Sequence, residues 1–334
     1  MSAGVAPART RQGAAVQAAA AWVQRNGWTV GLVGLLVAFV VVTKLLQPNY
    51  GAAGVQGLAI SILPIAFAAV AQAIVVISGG IDLSVGPMMA LASVTSAVLM
   101  NGQSELVAVP IVIGVLLLGF AVGAVNGALV VITKVPDIVV TLATSFVWAG
   151  VALLILNTPG GGAAPWLMAI ISGALGNPWI PKSLVLLAAI VAIVWIPLRR
   201  STFGLSLYAI GSHPLAAFRS GIPIGRTKIA AYALTGFFSA LGGLALTAIG
   251  GVGAPVPGSY TLQSVAAIVL GGVSLAGGRG GVLGPILAVM VLALVRTDLF
   301  FAGVDPNWST AVQGAILIGV VMFGSLVAMR KVRA

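Results

Sequence analysis

Charge is what this chain lacks, and the placement of the few charges constrains its fold more than any motif. Lys, Arg, Asp and Glu make up 6% of 334 residues and stand between long uncharged runs. Leu32–Val42, Ile111–Val131, Leu184–Ile196 and Ala311–Ala328 each belong to a stretch near the ~20 residues that cross a bilayer as a helix. With 60% hydrophobic residues, the chain has too little polar surface to coat a body dissolved in water. The sequence predicts an all-α polytopic membrane protein.

A net charge of +11 would suit a nucleic-acid surface if the basic residues shared one soluble face, but no such face is visible. Instead, thirteen of the sixteen fall in segments that one alternating topology places on a single side. They are Arg9, Arg11, Arg25, Lys134, Arg199, Arg200, Arg219, Arg226, Lys228, Arg279, Arg330, Lys331 and Arg333. Lys44, Lys182 and Arg296 are the exceptions. This is the positive-inside pattern, and it predicts that both termini are cytoplasmic. The partner it implies is a lipid bilayer and not a nucleic acid. The absence of cysteine excludes disulfides, thiolate metal sites and cysteine nucleophiles. His213 is the sole histidine, so a multi-histidine metal centre is excluded as well. Gly27–Leu46 is too long for a signal-peptide core of ~7–15 residues, and no small-x-small cleavage site follows. It reads as the first span. Residues 1–27 are then a cytoplasmic tail, 28–329 the transmembrane domain and 330–334 a cytoplasmic C-terminus.

About ten spans fit, at 28–46, 55–78, 86–100, 106–132, 138–156, 183–198, 229–249, 262–276, 282–302 and 309–328. Several are short or interrupted by Gly and Pro, as expected where helices break inside a protein-lined space. The 44 glycines and the many alanines favour close helix packing, because lipid gives no hydrophobic drive for helices to associate. Between spans, Asn157–Lys182 is expected outside the cell. Its Gly-rich turn, Trp166 and Trp179 suit a re-entrant or surface helix. The segment 199–228 is expected inside and is the longest hydrophilic stretch after the tail.

Two motifs interrupt the apolar pattern. In Gly79-Gly80-Ile81-Asp82-Leu83-Ser84-Val85-Gly86, the glycines can end one helix while Asp82 or Ser84 caps the next. Two readings stay open: a capped break, or a place of substrate or gating contact. Gly277-Gly278-Arg279-Gly280-Gly281-Val282-Leu283-Gly284-Pro285 echoes residues 79–87 at four of nine positions, all Gly or Pro, and marks a second helix–break–helix site. In the inner segment, Gly211-Ser212-His213-Pro214-Leu215-Ala216-Ala217-Phe218-Arg219-Ser220-Gly221 predicts a short helix of about two turns. Ser212 or His213 suits its N-cap, Pro214 its first turn and Gly221 its C-terminal cap.

These motifs, together with Lys228–Gly236, Val269–Gly280 and Val135–Leu142, resemble the ribose-type ABC importer permeases of the branched-chain/ribose permease family. The likeness covers most of residues 55–328. It implies a type II ABC importer-like fold and a monosaccharide importer of the bacterial inner membrane. It also makes the short inner helix an ATPase-docking coupling helix, with Gly211, His213, Pro214, Ala216, Ala217, Arg219 and Gly221 as its residues. Gly79, Gly80, Asp82, Ser84, Gly86, Gly277, Gly278 and Arg279 become helix-break or gating residues. The partners implied are a cytoplasmic ABC ATPase, a periplasmic sugar-binding protein and a second permease subunit, identical or not. Three departures from the family stand out: His213 replaces the usual Asn, Asp137 follows Pro136, and Arg296 and Asp298 occupy a normally uncharged region.

The chain has no G-x-x-x-x-G-K-[ST], so ATP is expected to be used by the partner subunit and no cofactor by this one. One histidine and five acids offer little for an enzyme. The alternative is an ion-coupled secondary transporter, which needs carboxylates at membrane depth, with Asp82 and Asp137 as candidates. A sugar path calls for neutral polar groups. Asn126, Thr141, Thr144, Gln263 and Gln313 are polar residues on apolar spans, suited either to a central cavity or to bonds between helices. The solute itself is left open among pentoses, hexoses, polyols, nucleosides and a furanosyl signal.

Overall fold

The computed structural model describes residues 27–256 and 258–305, with isolated positions up to 322. Gln313 and the 330–334 segment lie outside the described residues, as does most of the expected tenth span. Twelve helices are described: α1 Gly27–Leu46, α2 Ala52–Ile77, α3 Val85–Met100, α4 Glu105–Thr133, α5 Asp137–Ile155, α6 Pro165–Ile171, α7 Lys182–Arg200, α8 Thr202–Ser212, α9 Pro214–Arg219, α10 Ile224–Gly250, α11 Tyr260–Leu270 and α12 Leu283–Phe301.

Seven of these, α1, α2, α4, α5, α7, α10 and α12, are long and apolar enough to cross a membrane. The other two apolar helices are shorter: α3 has 16 residues and α11 has 11. At 1.5 Å per residue they reach about 24 Å and about 16 Å, less than the ~30 Å of hydrocarbon in a bilayer. They are the interrupted elements that the Gly and Pro punctuation predicts. The span expected at 262–276 stops at Leu270, because Gly271 lies against the backbone of Gly284 and Pro285 and Gly272 turns left-handed at φ 78°.

The core is built round α2, in which every residue from Ala66 to Ile77 is buried. It is flanked by α10, α11, α12 and α7. The closest helix pair is α4 with α10, and glycine is the reason. Gly119, Gly123 and Gly127 recur every fourth residue, which puts them on one face. That face meets Ile229, Tyr232 and Gly236 of α10, and a Cβ on Gly123 would overlap the Tyr232 carbonyl. Close packing of small residues, expected from composition, is thus located at a particular seam. The outer faces of α1, α4, α5 and α7 carry exposed Val37, Leu117, Leu154 and Ile193, which suits contact with lipid tails.

The bundle has two ends. At one, the close of α2, α7 and α11 meets α8, α9 and the start of α10 and α12. At the other, Gly160 pairs with Gly253 in an isolated antiparallel bridge, and Tyr50 packs edge-on to Phe301 with centroids 6.0 Å apart. Here lies α6, the surface helix expected within 157–182, with Leu167 and Ile171 buried. The indole of Trp166 donates to the Glu105 carbonyl at 3.2 Å. One element was not expected: α8 lies within the hydrophilic segment 199–228. Ser201 opens it, its hydroxyl accepting the Gly204 N–H at 3.2 Å.

Candidate functional site

The first break, between α2 and α3, is held by polar side chains from four other helices. Glycine ends α2: Gly79 turns left-handed at φ 83°, and the Gly80 N–H donates back to the Val75 carbonyl at 3.1 Å. Asp82 is fully buried, and its Oδ1 accepts both the Ser84 N–H at 2.8 Å and the Ser84 hydroxyl at 2.6 Å. Its Oδ2 is buried without a hydrogen-bond partner. Ser84 in turn accepts from the Asn126 amide at 2.7 Å, and Asn126 Oδ1 accepts from the Trp148 indole at 3.0 Å. The chain from Asp82 to Trp148 therefore crosses from the break through α4 to α5.

Asp82 and Ser84 do not cap α3 by themselves, contrary to the expectation. Ser84 occupies the N-cap position but makes no side-chain cap bond. The orphan amides are taken by hydroxyls from distant helices. Thr141 of α5 accepts the Leu83 N–H at 3.1 Å, and Thr261 of α11 accepts the Gly86 N–H at 2.9 Å. Helix-start N–H groups need such acceptors wherever water is absent. Thr261 was not among the expected site residues. Its only sequence signal is a hydroxyl on the first turn of a short apolar helix.

Asp137 and Lys228 fasten the same region. Lys228 Nζ lies 3.3 Å from Asp137 Oδ2, and the Tyr232 hydroxyl donates to that oxygen at 3.0 Å. This ties the start of α5 to the start of α10 close to Gly80.

The second break, Gly271–Val282, is made of backbone. Gly277, Gly278 and Gly280 all have positive φ. The Ser274 N–H donates to the Arg279 carbonyl at 3.1 Å, and the Arg279 residue is exposed. Val282, the N-cap of α12, supplies no side-chain acceptor. The two breaks meet: the Gly278 N–H donates to the Ile77 carbonyl at 2.9 Å, and a Cβ on Gly277 would stand 2.9 Å from Gly79 Cα.

The inner helix α9 has the expected ends. The exposed His213 closes α8, its N–H donating to Ala209, and opens α9, its Nδ1 accepting the Ala216 N–H at 3.2 Å. The imidazole thus supplies the side-chain acceptor that a helix N-terminus requires. Pro214 stands in the first turn, and Gly221 is left-handed at φ 80°. The Gly221 and Ile222 amides return to the Phe218 and Ala217 carbonyls, the pattern that closes many helices. The expected docking residues divide between two faces. Ala217 is buried against its own chain, whereas Leu215 and Phe218 are exposed at 54% and 67%. Ala216 and Arg219 share the exposed surface.

Among the expected path residues, Asn126 and Thr141 are fully buried and bonded across helices. Thr144 bonds its hydroxyl to the Thr141 carbonyl within α5. Gln263 is half-buried, and its amide donates to Ser259. Gln72 was missed: this amide sits in the last third of α2, wholly buried, with neither polar atom partnered. Its signal, a lone amide in an apolar run, is the one that singled out Asn126. Asp298, one of the two charges in the normally uncharged region, accepts from the Thr43 hydroxyl at 2.6 Å.

A family model described as "Branched-chain amino acid transport system / permease component" matches residues 54–321. The Autoinducer 2 import system permease proteins LsrD of Escherichia coli K12, Escherichia coli O157:H7 and Shigella flexneri are each 32% identical to the chain. In each case the match covers 92% of this chain and 94% of the relative. No solved structure matches. The match takes in both breaks, α8, α9 and every helix from α3 to α12, and the chain belongs to this family of membrane permease subunits of ABC transporters.

Proposed function

We propose that this chain imports a small sugar-like solute across the bacterial inner membrane, driven by a separate ABC ATPase that docks on α9. The observation that carries the reading is the exposed apolar face of α9, Leu215 and Phe218, on a helix capped at both ends and joined through α8 to the two helix breaks. Leu215 and Phe218 together form an apolar face on a short helix outside the spans, a surface that suits a protein partner. The density of basic residues in 199–228 supports a cytoplasmic α9, and cytoplasmic termini with it. The likeness to permeases of autoinducer 2 import systems supports a small sugar-like solute. A periplasmic binding protein delivers it, and a second permease subunit, identical or not, completes the path. Gln263, half-buried at the start of α11, is the neutral polar group best placed to meet the solute.

The ion-coupled alternative loses one of its two carboxylates, since Asp137 is engaged by Lys228 and Tyr232. Proteoliposomes holding the permease with its ATPase and binding protein should take up labelled ribose, xylose or autoinducer 2 when ATP is supplied. Uptake driven by a proton or sodium gradient without ATP would overturn the reading. Phe218→Asp should abolish co-purification of the ATPase while the permease remains in the membrane.

A further inference from the structure

Between the exposed helix α9 and the breaks lies α8, and its last turn is wedged into the point where the breaks meet. Gly211 has no room for a side chain: a Cβ there would overlap the Ile77 carbonyl oxygen and the Gly278 amide nitrogen. A Cβ on Gly277 would stand 3.0 Å from Gly211 Cα, and one on Gly278 would strike the Ser212 backbone. Three chain segments that are distant in sequence thus touch backbone to backbone. One turn earlier, the Tyr208 hydroxyl donates to the Gly280 carbonyl at 2.8 Å. Burial raises the pKa of this phenol, against a smaller opposing effect of Arg199, so it remains a donor at any physiological pH.

Helices α8 and α9 are separated by His213 alone, and that residue is bonded into both. They move together or break those bonds. We propose that α8 is the lever of the transporter, with Tyr208 and Gly211 as the positioning residues that carry a displacement of α9 to the second break, and so to α12. The lever bears on the second break because its 274–281 stretch is held by backbone contacts and one phenol, the Trp28 indole reaching only the entry to the loop at the Leu270 carbonyl and Gly272. The first break is locked on its far side by Thr141, Thr261 and Asn126. No other described side-chain bond links α8 to the 271–282 loop, so the Tyr208 bond is the specific joint and the glycine contact the bearing surface.

This inference rests on the permease reading, and the two can fail separately. The chain has no cysteine, so Ala276→Cys on the exposed part of the second break accepts a single environment-sensitive fluorophore. In nanodiscs holding the permease with the ABC ATPase that co-purifies with it, ATP and vanadate should shift that fluorescence. Tyr208→Phe should weaken the ATP-induced shift by about fivefold, the effect of one net hydrogen bond on an equilibrium. Co-purification of the ATPase and its rate of ATP hydrolysis should be retained, a combination that general destabilisation would not give. Gly277→Ala, which crowds the same contact from the other side, should act in the same direction. A full shift in Tyr208→Phe, with the ATPase bound, would overturn the lever and leave the permease reading intact. If no ABC ATPase co-purifies with the unmodified chain, the permease reading itself fails.

Discussion

The two glycine breaks share four of nine residues, yet they are fastened by different means. At Gly79–Gly86, the break's own Asp82 carboxylate and Ser84 hydroxyl, joined by two hydroxyls and an amide from α4, α5 and α11, take up the polar groups of the chain. At Gly277–Gly284, the loop is held by its own turns, by the Ile77 carbonyl and by Tyr208, and Arg279 points away from the core. Identical glycines permit both turns, but only the first carries side chains that neighbouring helices can grip. A break of the first kind is a support. One of the second kind can change shape without stranding buried polar groups, and that is what a moving part of a transporter requires.

The largest expected effect lies at Asp82. Asp82→Ala removes the acceptor of two donors in a fully buried site, at about 1–3 kcal/mol for each donor left unpaired. The detergent-solubilised protein should lose most of its thermal stability, read as the midpoint of monodisperse recovery after heating. Asp82→Asn, which keeps one acceptor, should recover much of it. If Asp82→Ala is as stable as the parent, the first break is not a support and the contrast collapses.

Thr261→Val should cost less, on the order of 1 kcal/mol, because one amide at the start of α3 loses its cap. Thr141→Val should behave similarly, since Thr141 holds the neighbouring Leu83 amide. Both losses should appear as stability changes of like size, measured by the same assay. A normal melting midpoint with transport lost would instead make these hydroxyls solute ligands.

At the second break the smallest effect is expected. A Cβ on Gly281 meets nothing within 4 Å, and its backbone needs no positive φ. Gly281→Ala should therefore change stability by less than about 0.5 kcal/mol. A large loss there would show that the second break is as tightly held as the first.

Much of this architecture could be read before any coordinates. The spans follow from charge scarcity, and the breaks from glycine beside Asp82 in otherwise apolar runs. The ends of α9 follow from His213, Pro214 and Gly221. What could not be read is non-local. Thr141 and Thr261 cap a helix whose start lies 58 and 175 residues away in sequence, and no local pattern records that partnership. The meeting of Gly79, Gly211 and Gly277 is a tertiary contact of the same kind. The burial of Ala217 is of this kind too, because the sequence of a six-residue helix does not say which face its own chain will cover. For α8 the signal existed, Ser201 ahead of an apolar run from Phe203 to Ile210, but the flanking arginines masked it.

Hydrogen–deuterium exchange on the permease–ATPase complex in nanodiscs tests the contrast most directly, because it reads the backbone of both breaks in one experiment. Peptides covering 79–86 should stay protected with and without ATP and vanadate, their amides being held by Asp82, Thr141 and Thr261. Peptides covering 274–282 should exchange faster at rest and change their rate when nucleotide is bound. Equal exchange at the two breaks, or a nucleotide response confined to 79–86, would contradict the account.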